Sequence, residues 1–233
     1  YLILDRRPLG IVTGPNGVGK SRLLRSLLAP GRRISGSPPL LIDMTVASGH
    51  DLIRQLADGL AVPPHVTDPW EQWRAVVDRL SGLADCRQSQ VIFLDHLDAA
   101  GDAPLPIVRS LLNTTAGRRA LTIIAAARRP IPEQLQSLLA DCGTVRIEHG
   151  LLRTNDTPAF VRSSLNAAGC NELEVPETAI RELHRLSGGQ PRQLDRLCEL
   201  LLLATTIDGV PTVTDEMIRA AANELPERLT TYA

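Results

Sequence analysis

The stretch Gly14–Ser21, GPNGVGKS, decides how the rest of the chain is read. It meets the pattern GxxxxGK[ST] at Gly14, Gly19, Lys20 and Ser21. In such a loop glycines let the backbone curl until successive N–H groups point inward at a β-phosphate, and the positive N-terminal end of the next helix adds to that field. The lysine neutralises the β- and γ-phosphates, and the hydroxyl is a magnesium ligand. Gly14, Pro15, Asn16, Gly17, Val18, Gly19, Lys20 and Ser21 are therefore candidate nucleotide contacts, with Ser21 a candidate metal ligand.

The pattern carries weight only between a buried strand and a helix. Leu9–Thr13 (LGIVT) is a short apolar run ending in the loop, and Ser21–Ala29 sets Leu23, Leu24, Leu27 and Leu28 on one helical face. Composition singles out the same place. The chain has 25 Lys plus Arg, and Lys occurs only at position 20. A chain that otherwise uses Arg keeps this ammonium for a chemical reason, a compact charge on a flexible stem.

Outward from the loop, Pro30–Pro39 is a connector and Leu40–Met44 a strand. Asp51–Leu60 and Trp70–Leu83 have helical spacing, and Gln90–Leu94 (QVIFL) is a second fully apolar strand. A helix from Pro106 through Leu112 precedes the strand Leu121–Ala126; the helix Glu133–Leu139 leads to a last strand, Thr144–Ile147. Alternation of this kind predicts a parallel sheet covered on both faces, joined by right-handed crossovers. From about Leu151 only helices follow: Asn155–Ala168, Pro176–Leu186, Arg192–Ala204 and Thr214–Leu225. Pro176 and Pro191 stand at first-turn positions, Gly169 and Gly188 just past helix ends, and Thr214 at a cap. The expectation is an α/β fold, a P-loop NTPase parallel-sheet core over residues 1–150 and a small all-helical domain over 151–233.

Magnesium also needs a carboxylate from outside the loop. Asp95, at the tip of the apolar strand 90–94, is in the expected place and is the second candidate metal ligand. The residue after it is His96, whose imidazole, with a pKa near neutrality, is a candidate base; Asp98 is an alternative.

Bulk properties set the outer limits. With 43% hydrophobic and 22% charged residues the chain has the balance of a protein with a buried core. A net charge of −1 supplies no electrostatic footprint for nucleic acid or anionic lipid, so DNA is a partner the charge does not indicate. Apolar runs such as Leu200–Ala204 are too short to cross a bilayer. Cys86, Cys142, Cys170 and Cys198 lack metal-ligand spacing and read as reduced thiols of a cytoplasmic protein. A start at Tyr1 suggests a fragment of a longer protein, whose other segments could anchor it in a membrane.

Beyond the loop, LSGGQPRQLDRLCELLLLAT (Leu186–Thr205) and TPAFVRSSLNAAG (Thr157–Gly169) resemble AAA+ ATPases of the ExeA/GspA type (general secretion pathway), which are related to the TnsC and TniB transposition ATPases. The likeness covers nearly the whole chain. It implies an AAA+ core of the additional-strand type with a helical lid, ATP as nucleotide, and Mg2+. It also implies that Arg192 is the sensor-2 arginine reaching from the lid to the γ-phosphate. An Arg fork at a helix start on a mobile lid would make lid position depend on the third phosphate.

The departures lie on the hydrolysis side. His96 stands where the family has a catalytic Glu; only Arg128 or Arg129 offers a polar sensor-1 residue; Asp141, Cys142 and Gly143 occupy the arginine-finger region, with Arg146 in the strand beyond. The expectation is a nucleotide switch with slow or partner-dependent turnover. It would act as a regulator or assembly factor on another protein, on its own copies, or on a DNA-bound partner. A non-hydrolysing signalling module and a P-loop kinase are the competing readings. Trp73 is read as core and Trp70 as cover for the sheet edge, while Arg32–Arg33, Arg118–Arg119 and Arg128–Arg129 are read as loop ends.

Overall fold

The computed structural model describes residues 7–28, 36–46, 48–170 and 173–224. Tyr1, Ala29, the connector's residues 30–35 with Arg32–Arg33, and Leu225, all named above, lie outside the described residues. The chain divides into two compact units. One holds the described residues up to Pro15 together with Lys20–His149, and the other holds Asn16–Gly19 and the described residues from Gly150 onward.

In the first unit β1 (Leu9–Gly14), β2 (Leu40–Asp43), β3 (Gln90–Asp95), β4 (Leu121–Arg128) and β5 (Val145–Glu148) form one sheet in the order β2-β3-β4-β1-β5. Every pairing is parallel. β1 and β3 are buried at each residue, whereas the edge strands β2 and β5 are partly exposed. That is why the central strands read as unbroken apolar runs.

The helices of this unit are α1 (Lys20–Leu27), α2 (Gly49–Gly59), α3 (Pro69–Asp85), α4 (Pro104–Asn113), α5 (Thr115–Ala120) and α6 (Glu133–Asp141). Side chains alternate across the strands, so the central strands β3 and β4 feed two cores. Ile92 and Leu94 join Leu9, Ile11, Ile123 and Ala125 beneath residues of α2 to α6. Val91 and Phe93 join Ile124 and Ala126 against Leu24 and Leu27 of α1. Right-handed crossovers explain the division: β1 to β2 runs one way across the sheet, and every later connection runs the other. Local chemistry starts the helices. Ser48 and Asp51 form a reciprocal cap on α2, and Asp68 caps α3 ahead of Pro69.

In the second unit α7 (Thr157–Ala167), α8 (Glu177–Ser187), α9 (Pro191–Asp208) and α10 (Asp215–Asn223) enclose their own core. Leu194, Leu197, Cys198 and Leu201 of α9 follow the i, i+3, i+4, i+7 stripe of a helix packed on one side. Gly188 closes α8 at φ +60°, a left-handed conformation that costs glycine little, and the Thr214 hydroxyl accepts from the Met217 N–H to cap α10.

Some details differ from the sequence reading: Arg118 and Arg119, read as a loop end, lie in α5, and Arg128 closes β4. α5 was not anticipated; Thr114 caps it, and a Cβ at Gly117 would run into the Leu111 carbonyl, which explains a glycine inside a helix. Trp73 packs on the core as expected, but Trp70 is 66% exposed and covers little.

Candidate nucleotide site

The carboxyl ends of parallel strands are where such sheets receive ligands. Here β1 ends at Gly14, β3 at Asp95 and β2 at Asp43, with Asp43 in register beside Asp95. β4 runs between β1 and β3 and pairs with both. Beyond Gly14 the loop passes through Gly17 at φ +79° and Gly19 at φ +97°, a backbone that L side chains rarely adopt.

Lys20 is the first residue of α1 and only 9% exposed. Its Nζ donates to the carbonyls of Gly14 at 2.9 Å and Pro15 at 2.7 Å. Burial pulls its pKa below the usual lysine value; Asp98 and Asp95 oppose that pull, and Arg128 adds to it. A desolvated ammonium is attracted to phosphate far more strongly than one in water. Ser21 follows, and its Oγ donates to Asp95 Oδ1 at 3.0 Å across 74 residues of sequence. Asp95 is 2% exposed. A hydroxyl beside a buried carboxylate is a hard-oxygen pair that suits magnesium, which takes one or two carboxylates and leaves the rest of its shell to water and phosphate. The residues present therefore fit the group.

His96 stands in the left-handed region, at φ 56° and ψ 40°. That conformation costs most L-residues roughly 1–2 kcal/mol, and His is among those that tolerate it. Its N–H donates to Asp95 Oδ1 at 3.0 Å. Its Nδ1 lies 3.2 Å from Asp43 Oδ1 and 3.8 Å from Asp95 Oδ1. Asp43 Oδ1 also accepts from the Thr45 N–H at 3.0 Å and the Thr45 hydroxyl at 2.9 Å. Burial would raise the Asp43 pKa, but the Thr45 donors and the His96 ring outweigh it and hold the carboxyl below its usual range.

The other hydrolysis-side candidates have defined partners. Asp98 accepts from the Arg128 N–H at 2.8 Å and from Arg128 Nε at 2.6 Å, so the alternative base and one sensor-1 candidate form a pair. Arg129 donates to Glu148 at 2.7 Å. Asp141 pairs with Arg109 at 3.2 Å, burial pushes the Cys142 thiol up, and Arg146 is exposed on the edge strand β5.

In the second unit Arg192 is the second residue of α9 and exposed, and its N–H donates to the Gly17 carbonyl at 3.1 Å. In the same unit Gln190 Nε2 donates to the Asn16 carbonyl at 2.7 Å, and a Cβ on Gly17 would come within 2.5 Å of that amide. The structure thus brings Lys20, Ser21, Asp95 and His96 together in one unit and sets Arg192 in the other. Sequence reasoning passed over Asp43 and Gln190. Asp43 had a usable signal, since LLID ends an apolar run in an acid as VIFLD does.

Comparison with known proteins bears on the family and the fold. The family described as the AAA ATPase domain matches residues 3–124, and the chain belongs to that family. It is 30% identical over 236 residues to general secretion pathway protein A of Aeromonas hydrophila, covering 97% of this chain and 42% of that protein. That likeness fits an ATPase of the ExeA/GspA type, although the chain spans less than half the length of this relative. Among solved structures, the ORC1 protein of Aeropyrum pernix in complex with DNA superposes with a TM-score of 0.69 at 16% identity, over 93% of this chain and 59% of that one. The ORC2 protein of the same organism, in ADPNP-ADP complexes, gives 0.68 at 13% identity, over 97% and 65%. These likenesses show the fold, an AAA+ P-loop core followed by helices. Among the described residues no helix is long and apolar enough to cross a membrane.

Proposed function

We propose that this chain is a Mg-ATP-driven switch that acts as a regulator or assembly factor on a protein partner or on its own copies, with slow or partner-dependent hydrolysis. The observation that carries the reading is the Ser21–Asp95 hydrogen bond beside the buried Lys20 ammonium, which joins the two halves of a phosphate-metal site. In that reading backbone N–H groups of Gly14–Gly19 and the Lys20 ammonium hold the β- and γ-phosphates. Ser21 and Asp95 hold magnesium, which when bound neutralises charge on the β- and γ-oxygens. Arg192 answers to the γ-phosphate, so the helical unit reports whether the third phosphate is present.

His96, a weaker acceptor than the carboxylate it replaces and itself tied to Asp43, supports slow turnover. The same observation favours the second reading, an ATP-binding module that signals without hydrolysis. DNA is a weaker choice of partner at a net charge of −1, although one structural neighbour carries DNA. The likeness to a general secretion pathway protein supports a partner in secretion assembly.

Calorimetry with Mg-ATP, with Lys20→Ala as control, tests the first step; phosphate release from the purified chain tests the second. Saturable heat that the control lacks, with turnover well below about 1 per second, is the expected pair of results. Phosphate release at the rate of a motor ATPase, silent in Lys20→Ala, would refute slow turnover.

A further inference from the structure

Gln190 has no role in the reading above, although its side chain meets the phosphate loop. It stands at the N-cap of α9, where its carboxamide makes no capping bond to that helix. Instead its Nε2 donates to the Asn16 carbonyl at 2.7 Å. Two residues on, the Arg192 N–H donates to the Gly17 carbonyl at 3.1 Å. Asn16, Gly17, Gln190 and Arg192 all belong to one compact unit. Two consecutive peptide groups of the loop are thus gripped by their oxygens.

A trans peptide is planar, so its N–H points away from its carbonyl. Fixing the Asn16 oxygen therefore fixes the direction of the Gly17 N–H, and fixing the Gly17 oxygen does the same for the Val18 N–H. A carbonyl that accepts a hydrogen bond also polarises its own peptide, which makes the N–H on the far side a stronger donor.

Both sides of the contact are closely defined. Gly188 and Gly189 stand at φ +60° and +72°, the Leu152 N–H donates to the Gly189 carbonyl at 2.8 Å, and the Gln190 N–H donates to the Ser187 carbonyl at 3.1 Å. On the loop, position 17 is one that the pattern GxxxxGK[ST] leaves open. A Cβ there would nevertheless stand 2.5 Å from Gln190 Nε2 and 3.3 Å from Arg192 Cβ. Glycine at 17 is what lets the two donors reach the backbone oxygens.

We propose that Gln190 is a positioning residue for the phosphate loop: its carboxamide holds the Asn16–Gly17 peptide so that the Gly17 N–H is directed at the β-phosphate of the nucleotide. The inference rests on the nucleotide reading and gives Gln190 a task separate from that of the Arg192 guanidinium. Because the acceptor is a carbonyl, Gln190 must present its NH2 group, and a carboxylate of the same shape would set oxygen against oxygen.

The number of phosphates separates the two tasks, since the β-phosphate is common to ATP and ADP and the γ-phosphate belongs to ATP alone. The test is titration calorimetry of the chain with Mg-ATP and with Mg-ADP. Gln190→Met, which keeps the length and loses the donor, is expected to weaken both nucleotides alike, by about fivefold, and Gln190→Glu to weaken both by more than about tenfold. Arg192→Ala is expected to weaken Mg-ATP and leave Mg-ADP within about twofold. The nucleotide-free unfolding midpoint of Gln190→Met should stay within about 2 °C of wild type. Unchanged affinity in Gln190→Met would overturn the proposal. A loss confined to Mg-ATP would do so too, because Gln190 would then act with Arg192 on the γ-phosphate. Gln190→Glu binding as well as Gln190→Met would remove the need for a donor, and a lowered midpoint would assign the loss to the fold. Wild type that gives no heat with either nucleotide would instead refute the nucleotide reading itself.

Discussion

Replacing Lys20 by Arg keeps the charge and changes its shape, in a chain whose other cationic side chains are all Arg. The native ammonium is 9% exposed and sits 2.9 Å and 2.7 Å from two carbonyls, a space fitted to a single nitrogen. A guanidinium is planar, carries five donors, and cannot contract to a point. Forcing extra atoms into packed surroundings costs about 1–3 kcal/mol, which is a loss of roughly 5- to 140-fold in Mg-ATP affinity. Lys20→Ala removes the charge as well, and losing one partner of a desolvated charge pair costs about 2–5 kcal/mol. Isothermal titration of both variants with Mg-ATP gives the two numbers. Thermal unfolding is the control: Lys20→Ala should change stability by less than about 1 kcal/mol, because water can reach the exposed Pro15 and removing a desolvated ammonium offsets the lost bonds. If Lys20→Arg bound Mg-ATP within about twofold of wild type, the shape argument would be refuted and the lone lysine would be an accident of composition.

Ser21→Ala should weaken binding in the presence of magnesium by about tenfold and leave binding in EDTA nearly unchanged, since it removes one hydroxyl ligand and no phosphate contact; equal losses in both conditions would contradict the metal role. Phe93→Ala empties a site with 0% exposure between the sheet and α1, and should lower unfolding free energy by about 3–5 kcal/mol in a guanidinium titration. The Cys198 thiol, pushed by burial up to about 12, should resist a thiolate-directed reagent at pH 8 in the native protein while the exposed Cys86 reacts. A raised folded pKa also means that the unfolded chain sheds this proton first. The contribution of Cys198 to stability should therefore be whole below the ordinary thiol value and decline as pH rises from there toward about 12, seen as a falling unfolding midpoint that Cys198→Ala flattens.

The parts of the fold that were legible are those in which one physical demand dominates the residues. Burial on both faces made β3 a run of apolar residues, and the loop pattern sets glycines and a lysine at fixed intervals. α5 escaped because TAGRRA is short, carries a glycine, and buries Ala116, Gly117 and Ala120 in place of large apolar residues. Trp70 misled because an aromatic at a helix start suggests burial, whereas Asp68 and Pro69 had already set that start without it. The Asp98–Arg128 pair spans 30 residues and the His96–Asp43 contact 53. Contacts at such separations follow from strand order, which the alternation of elements leaves open. Asp43 becomes legible only once β2 is known to lie beside β3.

Strand order has one more effect. β4 lies between the strand that leads into the phosphate loop and the strand that ends in Asp95, and its Ala125, fully buried, pairs with Ile11 on one side and Leu94 on the other. Two interstrand gaps of about 4.8 Å place the flanking backbones roughly 10 Å apart. On the proposed reading, the width across which Mg2+ would link the two motifs is thus gauged by peptide groups, which no side-chain exchange rewrites. Proline at residue 125, by deleting one rung of that ladder, would act at a distance on the grip for phosphate while touching none of the atoms that hold it.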